Sequence, residues 1–167
     1  MPLGERANNP KTPYCVYEYS FDGRVFYVGQ GFHWREILGR YRYVRGKLVH
    51  REKNSKLLRR TVIAVIAAMI DAGYPEAFLT VSTKHLLTHP GNSTGVTEQR
   101  NPELWAALGK KNALDPEKKQ IAKRIDERCV LANVQHLPEG RTPATVAEVL
   151  SYLGIPSKAR RTVAAKG

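Results

Sequence analysis

YCVYEYSFDGRVFYVG, residues 14–29, is the stretch that decides the fold. Tyr14 to Ser20 is rich in aromatic and β-branched side chains, which suit the pleated, half-buried surface of a strand. Phe21-Asp22-Gly23 reads as a turn and Arg24 to Gly29 as a second strand. So tight a return through Asp-Gly predicts a β-hairpin. Tyr17 and Tyr27 then stand on paired strands, where the turn can bring both phenols to one face. Gly29 and Gly31 follow directly, expected to leave backbone bare where a ligand can approach.

Downstream, His33 to about Tyr43 has helical character and carries Arg35, Arg40 and Arg42, with Arg45 just beyond. Asn54 to Ala72 is the clearest helix, with Asn54 or Ser55 as cap, apolar residues from Leu58 to Ile70, and Gly73 as stop. Ala77 to Thr83 predicts a third strand, and His85 to Thr97 a polar loop. Pro102 to Leu108 predicts a short helix. Asp115 to Glu127 predicts a longer one, with Asp115 as cap and Pro116 at the first helical position. Cys129 to Val134 is a short apolar segment, a closing strand or a turn. Thr142 to Leu153 predicts a last helix, opened by Thr142 and Pro143 and closed by Gly154.

This order describes an α+β domain: a small antiparallel three-stranded sheet flanked by helices, with a helical C-terminal extension. The expected division is a flexible leader over 1–12, the domain over 13–140 with an insert around 85–111, and a helix with a basic tail over 141–167. In that tail Lys158, Arg160 and Arg161 add charge.

The chain has 167 residues, enough for one core and hardly for two. Its 27 lysines and arginines stand against 15 acidic residues, a formal charge of +12, which points to a polyanionic partner. Charge alone does not distinguish binding from cutting. Cys15 and Cys129 are too few for a disulfide scaffold, lack the spacing of a zinc site, and read as buried thiols. The longest apolar run, Val62 to Ile70, is too short to cross a bilayer, and the polar opening residues carry no secretory signal. A cytoplasmic protein without a membrane segment is the expectation.

A phosphodiesterase in one domain needs a metal-binding carboxylate, a cation for the phosphate, a group to take a proton from water and a basic surface for the nucleic acid. Cys15-Val16-Tyr17 resembles the first signature of the GIY-YIG nucleases, with cysteine where the name-giving glycine would be. Tyr27-Val28-Gly29 resembles the second, and Gln30-Gly31 followed by Arg35 is similar to members that read YVGxGxxxR. His50 and the helix opening at Asn54 are similar to the family's histidine and the helix after it. Ala113, Glu117 and Ile121 reproduce the spacing of the family's glutamate helix, and Leu131-Ala132-Asn133 its downstream L-x-N.

The resemblance implies a DNA endonuclease using one Mg²⁺ or Mn²⁺ ion held by Glu117. It also implies Tyr17 as proton acceptor, Arg35 as the transition-state cation, Tyr27 and His50 orienting water or phosphate, and Asn133 in support. At neutral pH Tyr17 would need a nearby cation to favour its phenolate. Glu98, Glu103 and Glu127 compete with Glu117 for the metal. DNA contact is expected on Arg40, Arg42, Arg45, Lys47, Arg51 and Lys56, largely through phosphates. A one-metal site that cuts both strands needs a dimer or two visits, which leaves a homodimer or larger assembly open. Each residue also has an ordinary reading: cross-strand aromatics for the tyrosines, solvated cations for the arginines, a first-turn dipole partner for Glu117, a cap for Asn133. The functional alternative is a catalytically inactive nucleic-acid-binding subunit of a larger assembly.

Overall fold

A computed structural model describes residues 14–32, 38–87 and 99–156. Strands β1 (Tyr14–Phe21) and β2 (Arg24–Phe32) form the expected hairpin. Its turn is the Asp22-Gly23 pair, with φ of 49° and 82°, the left-handed turn whose twist matches that of paired strands. β1 runs down the middle of a three-stranded antiparallel sheet, ordered β2-β1-β3, with β3 at Leu79–Leu87. A register shift beside Tyr19 puts Tyr19 opposite Tyr27 and Ser20 opposite Val25. That bulge lets Phe26 and Tyr27 both serve the same core.

The alternation of β1 sorts its side chains between two layers. Cys15, Tyr17, Tyr19 and Phe21 face a core built with α1 (Arg40–Leu48), α2 (Thr61–Asp71) and α4 (Val146–Leu153). Val16, with Val25 and Val28 of β2, faces Ala113 and Ile121 of α3 (Pro102–Asp126). The domain is thus an α+β sandwich with helices on both faces of the sheet. No helix among the described residues is long and apolar enough to cross a membrane.

Several boundaries differ from those the sequence predicts. Of the helix expected from His33 to about Tyr43, the described part runs from Arg40 to Leu48 after a turn at Leu38 and Gly39, and residues 33–37, Arg35 among them, lie outside the described residues. The helix expected from Asn54 is split: a 3-10 turn at Leu57–Arg59, an extended residue at Arg60 (ψ 130°), then α2. Asn54 does not cap it: the residue before the 3-10 turn is Lys56, and the Asn54 amide donates to the carbonyls of Lys47 and His50. β3 starts two residues later than expected and runs further. Glu76–Phe78 is drawn into a 3-10 turn where Phe78 packs on Phe21 and Tyr74, and β1 pairs with β3 as far as Leu87. His85 to Leu87 therefore belong to a strand, not to a polar loop.

The two helices predicted around residue 110 are one. Pro116 lies in its interior and Asp115 caps nothing. An interior proline costs about 3 kcal/mol, but a buried stripe of Ala113, Glu117, Gln120 and Ile121 ties the helix to the sheet on both sides of it. The last helix starts at Val146, not near Thr142. Thr145 and Glu148 form a reciprocal capping box there, in which the Thr145 hydroxyl accepts from the Glu148 N–H at 3.1 Å and the Glu148 carboxylate from the Thr145 N–H at 3.0 Å. Gly154, with φ 73°, stops it as expected. α4 shares the main core through Val149, Leu150 and Leu153, and the Tyr152 hydroxyl donates to the Val25 carbonyl at 2.9 Å.

A candidate active site at the edge of the sheet

β2 is an edge strand, and the segment after α3 runs along its open side. The Ala132 N–H donates to the Phe26 carbonyl at 2.6 Å. The Asn133 amide then takes both polar groups of Val28, its Oδ1 accepting from the N–H at 3.0 Å and its Nδ2 donating to the carbonyl at 2.7 Å. A buried side-chain amide here reproduces the bonding of a neighbouring strand. The apolar run at 129–134 is thus an edge filler, between the strand and the turn that the sequence allows.

Around this edge the two helical layers meet at a cavity of about 850 Å³. β2 contributes Tyr27 and Gln30, the 3-10 turn and the break before α2 contribute Arg59 and Arg60, α3 contributes Lys111 and Glu117, and the edge segment contributes Asn133 and His136. The spacing Ala113, Glu117, Ile121 does put the three on one helix face, buried against the sheet. Glu117 is 5% exposed, and the His136 Nε2 stands 3.7 Å from its Oε1. The break at Arg60 has a local consequence, since Arg59 and Arg60 both come to the cavity wall.

The tyrosines occupy the other side of the wall. Tyr17 is 2% exposed and packs edge-on against Tyr19, with ring centroids 5.2 Å apart, and against Tyr27 at 6.2 Å. A Cβ built on Gly29 would meet the Tyr17 Oη at 2.5 Å and Tyr27 Cε2 at 2.8 Å. The glycine is needed here because a phenol covers it, so the expectation that it bares backbone to a ligand is corrected. Of the two predicted phenols, Tyr27 lines the cavity and Tyr17 stands behind it.

Burial lifts Tyr17 well above its ordinary value of 10.0, with Tyr19 and Tyr27 adding to the rise and Arg40 opposing it. Tyr27 is raised too, by burial first; Arg40 and Arg60 pull it down while Glu117 and Tyr19 push it up. Both are neutral phenols at neutral pH. The cation nearest them is Arg40, whose Nε reaches the Tyr19 hydroxyl at 3.4 Å. Burial disfavours its charge, but the three tyrosines outweigh that and keep it ionised. Arg40 thus favours the phenolate expected at Tyr17, but burial outweighs it and the phenol keeps its proton.

Of the predicted site residues, Tyr27, Glu117 and Asn133 come together, with Tyr17 one ring away. His50 lies in the exposed turn after α1, holding Asn54, and does not line the cavity. Of the predicted DNA contacts, Arg40 points inward to the tyrosines. Arg42 pairs with Glu76, and Arg51 with Asp71. Arg45 lies over the Tyr41 ring and Lys47 over that of Tyr43, while Lys56 is exposed.

Sequence reasoning missed Arg59, Arg60, Lys111 and His136 at the cavity, and no pattern singles them out among so many basic residues. It also missed Glu18, 1% exposed on the opposite face of β1. Arg124 grips both its oxygens at 2.5 and 2.8 Å, Gln120 donates at 2.7 Å, and Lys84 stands at 3.6 Å. An acid alternating with buried tyrosines was the available signal. Glu103 and Glu127, rivals of Glu117 for a metal, are exposed, and Glu98 lies outside the described residues.

Glu117 and Gln30 offer the oxygen donors that Mg²⁺ and Mn²⁺ take. The Gln30 Oε1 is buried with no hydrogen-bond partner among the described residues, as a donor reserved for a ligand would be. No group of three or more histidine, cysteine or acidic side chains converges among the described residues. An ion here would keep water or substrate oxygens in its shell, as Mg²⁺ commonly does. In comparisons with known proteins, no family model matches the chain, and neither a curated protein nor a solved structure does.

Proposed function

We propose that the protein is a metal-dependent endonuclease that hydrolyses DNA phosphodiester bonds at the β2-edge cavity, in the one-metal manner of the GIY-YIG nucleases. One observation carries the reading: a buried carboxylate, Glu117, shares a cavity with a phenol, Tyr27, and with three cations, Arg59, Arg60 and Lys111. A core helix has no use for an acid there, whereas a phosphodiester needs the cations and a divalent ion needs the acid.

Glu117, with Gln30 in the same cavity wall, would hold Mg²⁺ or Mn²⁺. When bound, the ion supplies Lewis-acid polarisation of the phosphate and positive charge for the leaving oxygen. Arg59, Arg60 and Lys111 bind the backbone phosphates. Tyr27 accepts a hydrogen bond from the attacking water and aims it, and Tyr17 holds that ring in place. Arg40 opposes the cost of developing negative charge on the phenols, and Arg35 enters as the transition-state cation by resemblance alone. Asn133 fixes the strand on which Tyr27 and Gln30 sit.

The test is incubation of supercoiled plasmid with and without Mg²⁺, for the native chain, Glu117→Gln, Tyr27→Phe, Arg35→Ala and Arg40→Ala. Nicking is expected of the native chain with Mg²⁺ only. Loss of Glu117 should cost on the order of 10²-fold or more in rate, the scale of other electrostatic contributions to catalysis, with DNA binding retained. Cleavage undiminished by Glu117→Gln would sink the proposal. A native chain that binds DNA and never cuts it would favour the inactive binding subunit.

A further inference from the structure

His136 is one of three described non-glycine residues in the left-handed region, with φ 61°. Histidine enters that region more readily than most side chains, but at a cost that persists only where neighbouring structure imposes it. The imposing structure is the edge segment itself, in which Ala132 and Asn133, just before it, are bonded to β2. The twist carries the imidazole to the cavity wall beside Glu117.

The distance between them is informative. At 3.7 Å the His136 Nε2 and Glu117 Oε1 are too far apart for a hydrogen bond, whose usual range ends near 3.2 Å. Two ligands of one ion, each bound at about 2.1 Å, are separated by this amount when the angle between them is roughly 120°, within the range of a first-row metal. The Gln30 Oε1, buried and lacking a protein partner among the described residues, lines the same cavity.

We infer that His136 is a second protein ligand of the metal at Glu117, through Nε2, so that the site prefers Mn²⁺ or another nitrogen-binding first-row ion over Mg²⁺. This rests on the proposed metal site at Glu117 and adds a donor that the one-carboxylate pattern lacks. An imidazole suits such ions, whereas Mg²⁺ favours oxygen donors throughout.

The experiment is calorimetric titration of the metal-free full chain with Mn²⁺ and, separately, Mg²⁺, without DNA. Native protein, Glu117→Gln, His136→Ala and His136→Gly are compared. Glycine accepts the left-handed backbone, so His136→Gly removes the imidazole from a fold at least as well accommodated. Spin-echo modulation of bound Mn²⁺ reports whether nitrogen is directly bonded.

The inference expects native Mn²⁺ binding to exceed Mg²⁺ binding. Both His136 variants should lose Mn²⁺ affinity tenfold or more, with Mg²⁺ affinity changed less than threefold and the nitrogen modulation gone. If Glu117→Gln abolishes binding but the His136 variants bind Mn²⁺ as the native chain does, with modulation unaltered, the histidine ligand is refuted and the Glu117 site stands. Binding indifferent to Glu117→Gln overturns both.

Discussion

A methyl group at position 29 would collide with the hydroxyl end of Tyr17, and neither a rigid ring nor a paired strand yields easily. Gly29→Ala is expected to destabilise the fold by about 1–3 kcal/mol, the usual cost of forcing extra volume into a packed region. Cleavage should fall further than stability does, because Tyr27 shifts with its neighbour. Urea unfolding beside plasmid nicking measures both, and an alanine variant as stable as the native chain would contradict the packing. At this scale the sequence was half legible. The tyrosines, the glycine and Glu117 stand out by spacing, but that the glycine serves a phenol rather than a ligand depends on a cross-strand contact that spacing does not encode. Arg40 and His136 were illegible, one being among many arginines and the other placed by a backbone twist three residues past its anchor.

Glu18 and α3 are joined by an ion pair that fixes how the helix, and with it Glu117, lies against β1. Burial raises the Glu18 carboxyl, but hydrogen bonds from Arg124 and Gln120 and the charges of Arg124 and Lys84 outweigh it and hold it below its ordinary 4.5. Its stabilising effect is accordingly present above the unfolded value and lost as pH falls through the folded one. Arg124→Ala strands most of that buried charge, and a loss of about 3 kcal/mol at neutral pH is expected. The deficit should shrink in acid, as a carboxyl no longer held down takes up a proton. Denaturant unfolding at pH 7 and pH 4 tests this, and a deficit that grows in acid would contradict it. Elements were legible where a single force decides them: the hairpin, the Gly73 and Gly154 stops, the glutamate face. They were misread where packing overrides a local signal, as when α3 carries Pro116 in its interior and Arg60 interrupts an otherwise helical run.

Across the whole molecule, three buried acids resist ionisation together. Burial pushes the Cys15 thiol up to about 12 from an ordinary 9.0, against a hydrogen bond with Thr83, and lifts Tyr17 and Tyr27 above 10.0. Below pH 9 all three are protonated in both folded and unfolded chains and add nothing to the pH slope. Above pH 9 for the thiol, and above 10 for the phenols, the unfolded chain sheds protons that the folded chain keeps. Stability then falls with rising pH, by about 1.4 kcal/mol per pH unit for each group in its window. Thermal melts from pH 8 to 11 should show a decline that steepens past pH 10, and replacing Tyr17 with phenylalanine should soften it. The global class, α+β with three antiparallel strands, was legible because period-two and turn signals are strong in a short hairpin. The meeting of both helical layers at one strand edge was not, since it depends on contacts far apart in the chain.

The clamp that Asn133 places on Val28 also governs how copies of the chain can meet. With its middle polar groups already taken, β2 cannot act as a template for a foreign strand, and the other rim of the sheet is β3. Two copies joined rim to rim through β3 would make a continuous six-stranded sheet with a cavity at each outer margin. At about 4.8 Å per strand the two cavities would then lie roughly 24 Å apart, facing away from each other.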